Sequence, residues 1–362
     1  MSFPRYEYLQ SGVPTVTEKM RATGAEISLP KFDRPISAVE NFMRAAQRNK
    51  PYWVPSPLTD MQSHHPTDHI SHFLSVAGAK EDTPFRDWFG CDWTMIVSAG
   101  GPMLTPGTQV MGDVTEWEKV VKFPDLDKWD FKSAADDYLK NTYNPEKALG
   151  MDIGLGFTER LVSLMGGYTD SMYALAAEPE ACIDFFEAFL EWELRHFDKL
   201  IEHYPVNMIT YHDDWGSEKD TFFSPAMMES MIFPVTKKLF DYIKSKGAVI
   251  EFHNCGNINR FMPYLAELQP EFMQIQRRVI DFPAIKKQYG DKFGFCGAIE
   301  GLDMMAPDPS KDELLEMIRH TVDVLGSGGG LYLNMWIKDP ELIWYAYNEL
   351  YAYSSEMYER ER

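Results

Sequence analysis

The chain has 362 residues, is 44% hydrophobic and 25% charged, and carries a formal net charge of −20. It is long enough to bury a large core, as one big domain or two small ones, and the negative excess excludes nucleic acid as a main partner. No apolar run is long enough to span a bilayer. The four cysteines, Cys91, Cys182, Cys255 and Cys296, are too few for a disulfide framework and suit a reducing cytoplasm. The first residues, Met1 to Glu7, hold no apolar signal core, so a cytoplasmic location is expected.

Residues 1–150 are irregular, with Pro-rich and aromatic stretches such as Pro51-Tyr52-Trp53-Val54-Pro55-Ser56-Pro57. In this region His65, His69 and His72 stand at i, i+4 and i+7, which is one helical face if the segment is helical. Pro66 disfavours helix at His65, so polar lining or an exposed face is preferred there over a separate metal site. Cys91 and Cys182 read as structural.

From about residue 150 short apolar runs alternate with amphipathic stretches. Met151–Leu155 and Val206–Tyr211 read as strands, separated by a helix from Pro179 to His203. Ser224 as N-cap with Pro225 at the first position starts another helix. Gly247 stops that helix, and Pro234 inside it predicts a kink. Strand Val249–Cys255, helix Ile258–Leu268, strand Phe272–Gln276, helix Phe282–Gln288 and strand Phe293–Gly297 follow. Helix Ser310–Leu325, strand Leu331–Asn334 and a last helix from Pro340 complete the series. This βαβα rhythm means a parallel sheet. The unit count fits a (β/α)8 TIM barrel better than an open sheet, and no Gly-x-Gly-x-x-Gly opens a helix. One domain over 1–362 is expected, with residues 1–150 supplying the first barrel strands and insertions over the mouth.

In such barrels the active site lies at the C-terminal ends of the strands. The predicted strand ends bring together Glu251, His253, Cys255, Cys296, His212, Asp213, Asp214, Gln274, Gln276 and Asn334. The stretch Glu251-Phe252-His253-Asn254-Cys255-Gly256 carries the sharpest signal. Alternation along a strand puts Glu251, His253 and Cys255 on one face, and an acid, an imidazole and a thiol ending in a glycine turn form a typical zinc-ligand set.

The segments Tyr211-His212-Asp213-Asp214-Trp215-Gly216, Ser224-Pro225, His253-Asn254-Cys255-Gly256-Asn257 and Leu325-Gly326-Ser327-Gly328-Gly329-Gly330 resemble the uroporphyrinogen decarboxylase superfamily. The resemblance implies the (β/α)8 barrel. The metal-free decarboxylases of that superfamily carry an N-terminal Arg-Gln-x-Gly-Arg-Tyr-x-Pro pattern, which is absent here; the region reads Tyr52-Trp53-Val54-Pro55-Ser56-Pro57-Leu58. The cobalamin-dependent methyltransferase branch carries zinc on a His-x-Cys and a distant Cys. His253 and Cys255 match the first part. The stretch Leu331–Trp336 has no Cys where the distant one falls in relatives, which leaves Cys296 as the candidate third ligand and Glu251 as the fourth.

Arg86-Asp87-Trp88-Phe89-Gly90, Ala99-Gly100-Gly101-Pro102-Met103 and Asp113-Val114-Thr115-Glu116-Trp117-Glu118 resemble members linked to anaerobic demethylation of aryl methyl ethers. This implies the first methyltransferase of an O-demethylase system. It would move a methyl group from a phenyl methyl ether to the cob(I)alamin of a corrinoid partner protein. The chain itself shows no Asp-x-His-x-x-Gly pattern of the kind that holds cobalamin.

The chemistry asks for a stabilised phenolate leaving group. Zinc lowers the pKa of bound water from about 15.7 to about 7, on the order of 10 kcal/mol, and several kcal/mol of that is expected at an ether oxygen. His212 or Asp214 is the candidate proton donor, worth a factor of about 10²–10⁴. Trp93, Trp215, Asn334 and Trp336 are the candidate substrate-binding residues, against core packing for any single tryptophan. The rival readings are a corrinoid-to-thiol methyltransferase, a metal-free decarboxylase-like lyase and a non-catalytic escort for a corrinoid protein.

Overall fold

A computed structural model of the protein describes residues 15–19, 26–65, 79–99, 101–297, 299, 307–335 and 337–362. Its strands, in chain order, are β1 (Thr15–Lys19), β2 (Glu26–Pro30), β3 (Met61–His64), β4 (Thr83–Arg86), β5 (Asp92–Ile96) and β6 (Gly101–Leu104). Then come β7 (Ala148–Leu155), β8 (Met208–His212), β9 (Val249–Asn254), β10 (Phe272–Ile275), β11 (Gly294–Gly297) and β12 (Leu331–Leu333). Among the described residues a seven-stranded sheet runs in the order β12-β11-β10-β9-β8-β7-β3. The pairs β7–β8, β8–β9, β10–β11 and β11–β12 are parallel. Consecutive parallel strands joined by helices are the (β/α)8-barrel type of architecture that the alternation predicted.

Among the described residues before 150, β3 and the start of β7 belong to that sheet. The other strands of this region form a two-stranded sheet, β1–β2, and a three-stranded antiparallel sheet, β4-β5-β6. β4 and β5 are joined through a turn with Gly90 at φ 86, and strands linked by such short connections pair antiparallel.

The helices begin and end where their sequences dictate. Pro179 opens the helix Pro179–His203, which buries Cys182, Phe185, Phe186, Phe189 and Leu190 at helical spacing. Ser224 accepts a hydrogen bond from the Met227 amide at 3.2 Å and caps the helix that starts at Pro225. The kink expected at Pro234 is a π-helical turn over Met228–Ile232, directly before the regular helix Phe233–Ser245. Pro234 has no N–H to give to Ser230, so the wider turn absorbs the break. Gly247, at φ 89, ends the run.

The chain packs as two compact units. One comprises the described parts of 1–63, 144–149 and 269–362; the other comprises those of 64–143 and 150–268. In the first, the helix Pro340–Glu361 buries Tyr347, Tyr351 and Tyr358, and Tyr351 stacks on Phe32 at 4.1 Å and lies 5.6 Å from Trp53. Asp60 is buried there and gathers the Trp53 indole at 2.8 Å, the Ser56 amide at 2.9 Å and Arg34 at 3.1 Å. In the second, Phe89, Phe123, Phe185, Phe189 and Trp192 form an aromatic core. No described helix is long and apolar enough to cross a membrane.

Candidate metal centre

The site is built where β8 and β9 end. Their parallel register places His212 beside His253, and the two imidazoles stack with centroids 3.8 Å apart at 15°. Beyond β8 the chain runs Asp213-Asp214-Trp215-Gly216; beyond β9 it runs Cys255-Gly256-Asn257. The two loops are knitted together. The Cys255 amide donates to Asp214 Oδ1 at 2.6 Å, and the Asn257 amide donates to the Ser217 carbonyl at 2.7 Å. The Asn254 side chain donates to the Asp213 carbonyl. Gly256 has φ 82, and a Cβ there would overlap the Gly216 carbonyl, so both glycines are required for the crossing.

His212, Asp214 and His253 bring one ligand atom each to within 4.8 Å of the others, and all three are half-buried. Asp214 Oδ1 is 3.9 Å from His253 Nε2. The Cys255 sulfur is 3.5 Å from the same nitrogen. Burial of that sulfur, then the Asp214 and Glu159 carboxylates, push the Cys255 thiol up to about 12. A bound cation reverses that logic, because it deprotonates a coordinating thiol.

Two acidic residues frame the cluster. Glu159 Oε2 lies 3.0 Å from His212 Nδ1. Burial opposes charge on His212, but Glu159 and then Asp214 outweigh it and hold the imidazole up to about 9. Asp213 is fully buried and accepts from the Trp215 indole at 2.8 Å, the Glu159 amide at 2.9 Å, the Thr158 amide at 3.3 Å and the Thr158 hydroxyl. It therefore serves the start of the helix Phe157–Met165, whose N-cap, Gly156, has no side chain to offer. Gly156 is needed because a Cβ there would come within 2.5 Å of the Asp213 side chain and the Tyr211 hydroxyl. Burial pushes Asp213 up to about 6 against these hydrogen bonds.

The other expected site residues are placed as follows. Glu251 is buried in β9, two residues before His253 on the same face of the strand; it is not in the three-residue ligand cluster. Cys296 is buried in β11, where the Gln274 amide nitrogen is 3.6 Å from its sulfur. Asn334 follows β12, is half-buried, and its amide donates to the Gly297 carbonyl at 2.9 Å. Trp215 has 0% exposure, packed on Phe252 at 4.7 Å; the ring has no face open to a substrate and supports the loop from below. Trp93 is buried in β5, with its indole on Asp87 at 3.1 Å. Trp336, His69 and His72 lie outside the described residues.

Three contributors escaped the sequence reading: Glu159, the capping role of Asp213, and Tyr168. Met151–Leu155 was legible as a strand, so the segment just after it, Gly156 to Glu159 at the start of the next helix, was a rim position by barrel logic. Tyr168 packs on Phe222 with centroids 4.4 Å apart and is 40% exposed. Burial, then the charges of Glu159, Asp214, Asp213 and Cys255, raise its phenol. No periodicity marks it in the sequence.

The uroporphyrinogen decarboxylase family model matches residues 86–349. The chain belongs to the uroporphyrinogen decarboxylase family. Among solved structures, this family member is similar to a methyltransferase from Methanosarcina mazei at 12% identity and a TM-score of 0.57, covering 90% of this chain and 99% of that one. At that identity the likeness is one of fold. A protein assigned as vitamin-B12-independent methionine synthase from Listeria monocytogenes matches at 13% identity and a TM-score of 0.39, over 66% of this chain and 70% of that one. A D-psicose 3-epimerase matches at 13% identity and a TM-score of 0.34, over 69% and 86%. No curated protein sequence matches.

Proposed function

We propose that this family member is a zinc-dependent methyltransferase that takes the methyl group of a methoxylated aromatic and passes it to the cobalamin of a corrinoid partner protein. The observation that carries the reading is the convergence of His212, Asp214 and His253 within 4.8 Å, with the Cys255 thiol beside His253. Two imidazoles, a carboxylate and a thiol make a donor set that suits zinc. The reading thus moves His212 and Asp214 from acid–base roles to ligand roles, alongside His253 and Cys255. Membership of the family and the likeness to a methyltransferase support the general activity.

Zinc held there would supply Lewis acidity towards an aryl ether oxygen. The methyl–oxygen bond breaks with its electron pair left on the aryl oxygen, and the methyl group goes to the reduced cobalt of the partner, which provides the bonding pair. The chain's own groups orient and exclude. Asp213 and the Gly216–Gly256 crossing fix the two ligand-bearing loops. The Tyr168 phenol is the candidate donor to the departing phenolate, and Tyr168 with Phe222 offers an aromatic face to the substrate ring.

The test is metal content after incubation with zinc and dialysis, with His253→Ala and Cys255→Ser in parallel, followed by phenol release from methoxyaromatics with cob(I)alamin. About one zinc per chain, reduced in both variants, with phenol release that depends on it, is expected. Methyl transfer from methylcobalamin to a thiol, without ether cleavage, would favour the thiol-methylating rival. Wild-type protein that takes up no zinc would sink the proposal and move the reading to a metal-free lyase.

A further inference from the structure

The structure assigns Glu159 a positioning role: we propose that its carboxylate holds the Nδ1–H of His212 so that Nε2 is the nitrogen presented to a metal. This rests on the reading of His212 as a ligand.

The case is geometric. Glu159 is the third residue of the helix Phe157–Met165, which begins directly after β7. A glutamate at that place on an ordinary surface helix would point to solvent or reach back to its own N-cap. Neither holds here. The N-cap is Gly156, and the N-cap role is taken over by Asp213 from the loop after β8, which accepts the Glu159 amide at 2.9 Å. That bond ties the backbone of Glu159 to the loop that also carries Asp214. The side chain is only 15% exposed, and Oε2 meets His212 Nδ1 at 3.0 Å.

An imidazole ligates through one nitrogen, and the partner of the other fixes the tautomer and the ring plane. With Nδ1 engaged by Glu159, Nε2 is the nitrogen left for the cluster. The neighbouring ring of His253, stacked at 3.8 Å, limits rotation about the remaining bond. One backbone bond and one side-chain bond therefore connect helix, loop and ligand into a single unit.

The test uses the full-length protein and zinc. Zinc affinity is measured by competition with a chromophoric chelator for wild type, Glu159→Ala and Glu159→Gln. Loss of an outer-shell partner typically weakens metal binding about 10–100-fold, and that loss is expected for Glu159→Ala. Glu159→Gln retains an acceptor oxygen and is expected to lose less. A second readout is histidine-selective ¹⁵N NMR of the zinc-loaded wild type, which applies even if Glu159→Ala fails to fold. His212 should keep a proton on Nδ1 and carry the metal on Nε2. Unchanged zinc affinity in folded Glu159→Ala, equal losses in Ala and Gln, or a metal on Nδ1 would each overturn the inference while leaving the zinc site standing. Wild-type protein that takes up no zinc overturns the inference together with the proposed function, so the two failures are distinguishable.

Discussion

Arg160, the residue after Glu159, forms an ion pair whose loss tests how the site helix is anchored. Its Nη1 lies 2.8 Å from Asp87 Oδ2, with the two side chains 1% and 0% exposed. The same Asp87 accepts the Phe89 amide at 3.0 Å, the Cys91 amide at 2.9 Å and the Trp93 indole at 3.1 Å. The guanidinium sits 4.0 Å from the Phe89 ring centroid. Arg160→Met preserves the bulk of the side chain and removes the charge, so Asp87 is left buried with three N–H donors but no cation. Breaking one side of a buried pair costs about 3–5 kcal/mol, because the orphaned charge cannot be hydrated. Loss of the guanidinium–ring contact, about 0.5–2 kcal/mol, overlaps with that figure. Against a total stability of about 5–15 kcal/mol this is a large fraction. With a urea m-value of about 3 kcal/mol/M or more for a chain of this size, the unfolding midpoint should fall by about 1 M. The variant Arg160→Met/Asp87→Asn removes the orphaned charge as well, and it should be no less stable than Arg160→Met alone. Because Arg160 anchors the helix Phe157–Met165 that also carries Glu159, zinc affinity should fall with stability. A loss of under about 1 kcal/mol for Arg160→Met would refute the claim that this pair anchors the helix.

Gly256→Ala places a methyl group on the Gly216 carbonyl at a residue with φ 82; it should cost more than the ~1 kcal/mol of an ordinary glycine replacement and reduce zinc uptake, read by thermal unfolding and metal analysis. Glu193 is buried and its carboxyl is raised well above the usual range by burial. Folded protein therefore keeps a proton that the unfolded chain releases, so this residue's contribution is full below the unfolded carboxyl pKa and is lost progressively as pH rises from there through the raised folded value. Glu193→Gln should stabilise the protein at pH 7–8, by on the order of 1.4 kcal/mol per pH unit above the unfolded carboxyl pKa, and the gain should vanish near pH 4 in parallel urea titrations. Burial holds His196 down to about 3, so its neutral form stabilises the fold above the usual histidine pKa and that stability fades as pH falls below it; His196→Phe, in the same aromatic surroundings, should make the acid limb of the stability curve shallower. Zinc at about 100 times its dissociation constant should raise stability by about 2.7 kcal/mol, and Asp214→Ala should abolish that gain in thermal unfolding with and without metal.

Much of this molecule is written locally. Ser224 with Pro225, Pro179, Gly247 and the alternation of apolar runs from residue 150 onward dictate helix starts, stops and a parallel sheet, because caps, proline and glycine act within a turn of the chain. The His253-Asn254-Cys255-Gly256 stretch announced a strand end rich in ligand atoms for the same reason. What local rules cannot reach is which other strand end stands beside it. The pairing of His212 with His253 depends on the β8–β9 register, set by packing across the sheet, and Glu159 joins them only because Asp213 supplies the cap that Gly156 lacks. Trp215 shows the converse: a tryptophan next to two acids looks like a substrate platform, yet tertiary packing on Phe252 and a bond to Asp213 bury it completely. The sequence before residue 150 shows no regular alternation, so the antiparallel sheet β4-β5-β6 was not legible in it and is defined by strand pairing. Sequence alone determined the elements and the chemistry available at their ends; the tertiary structure decided which of those ends meet, since that rests on contacts between residues more than forty positions apart.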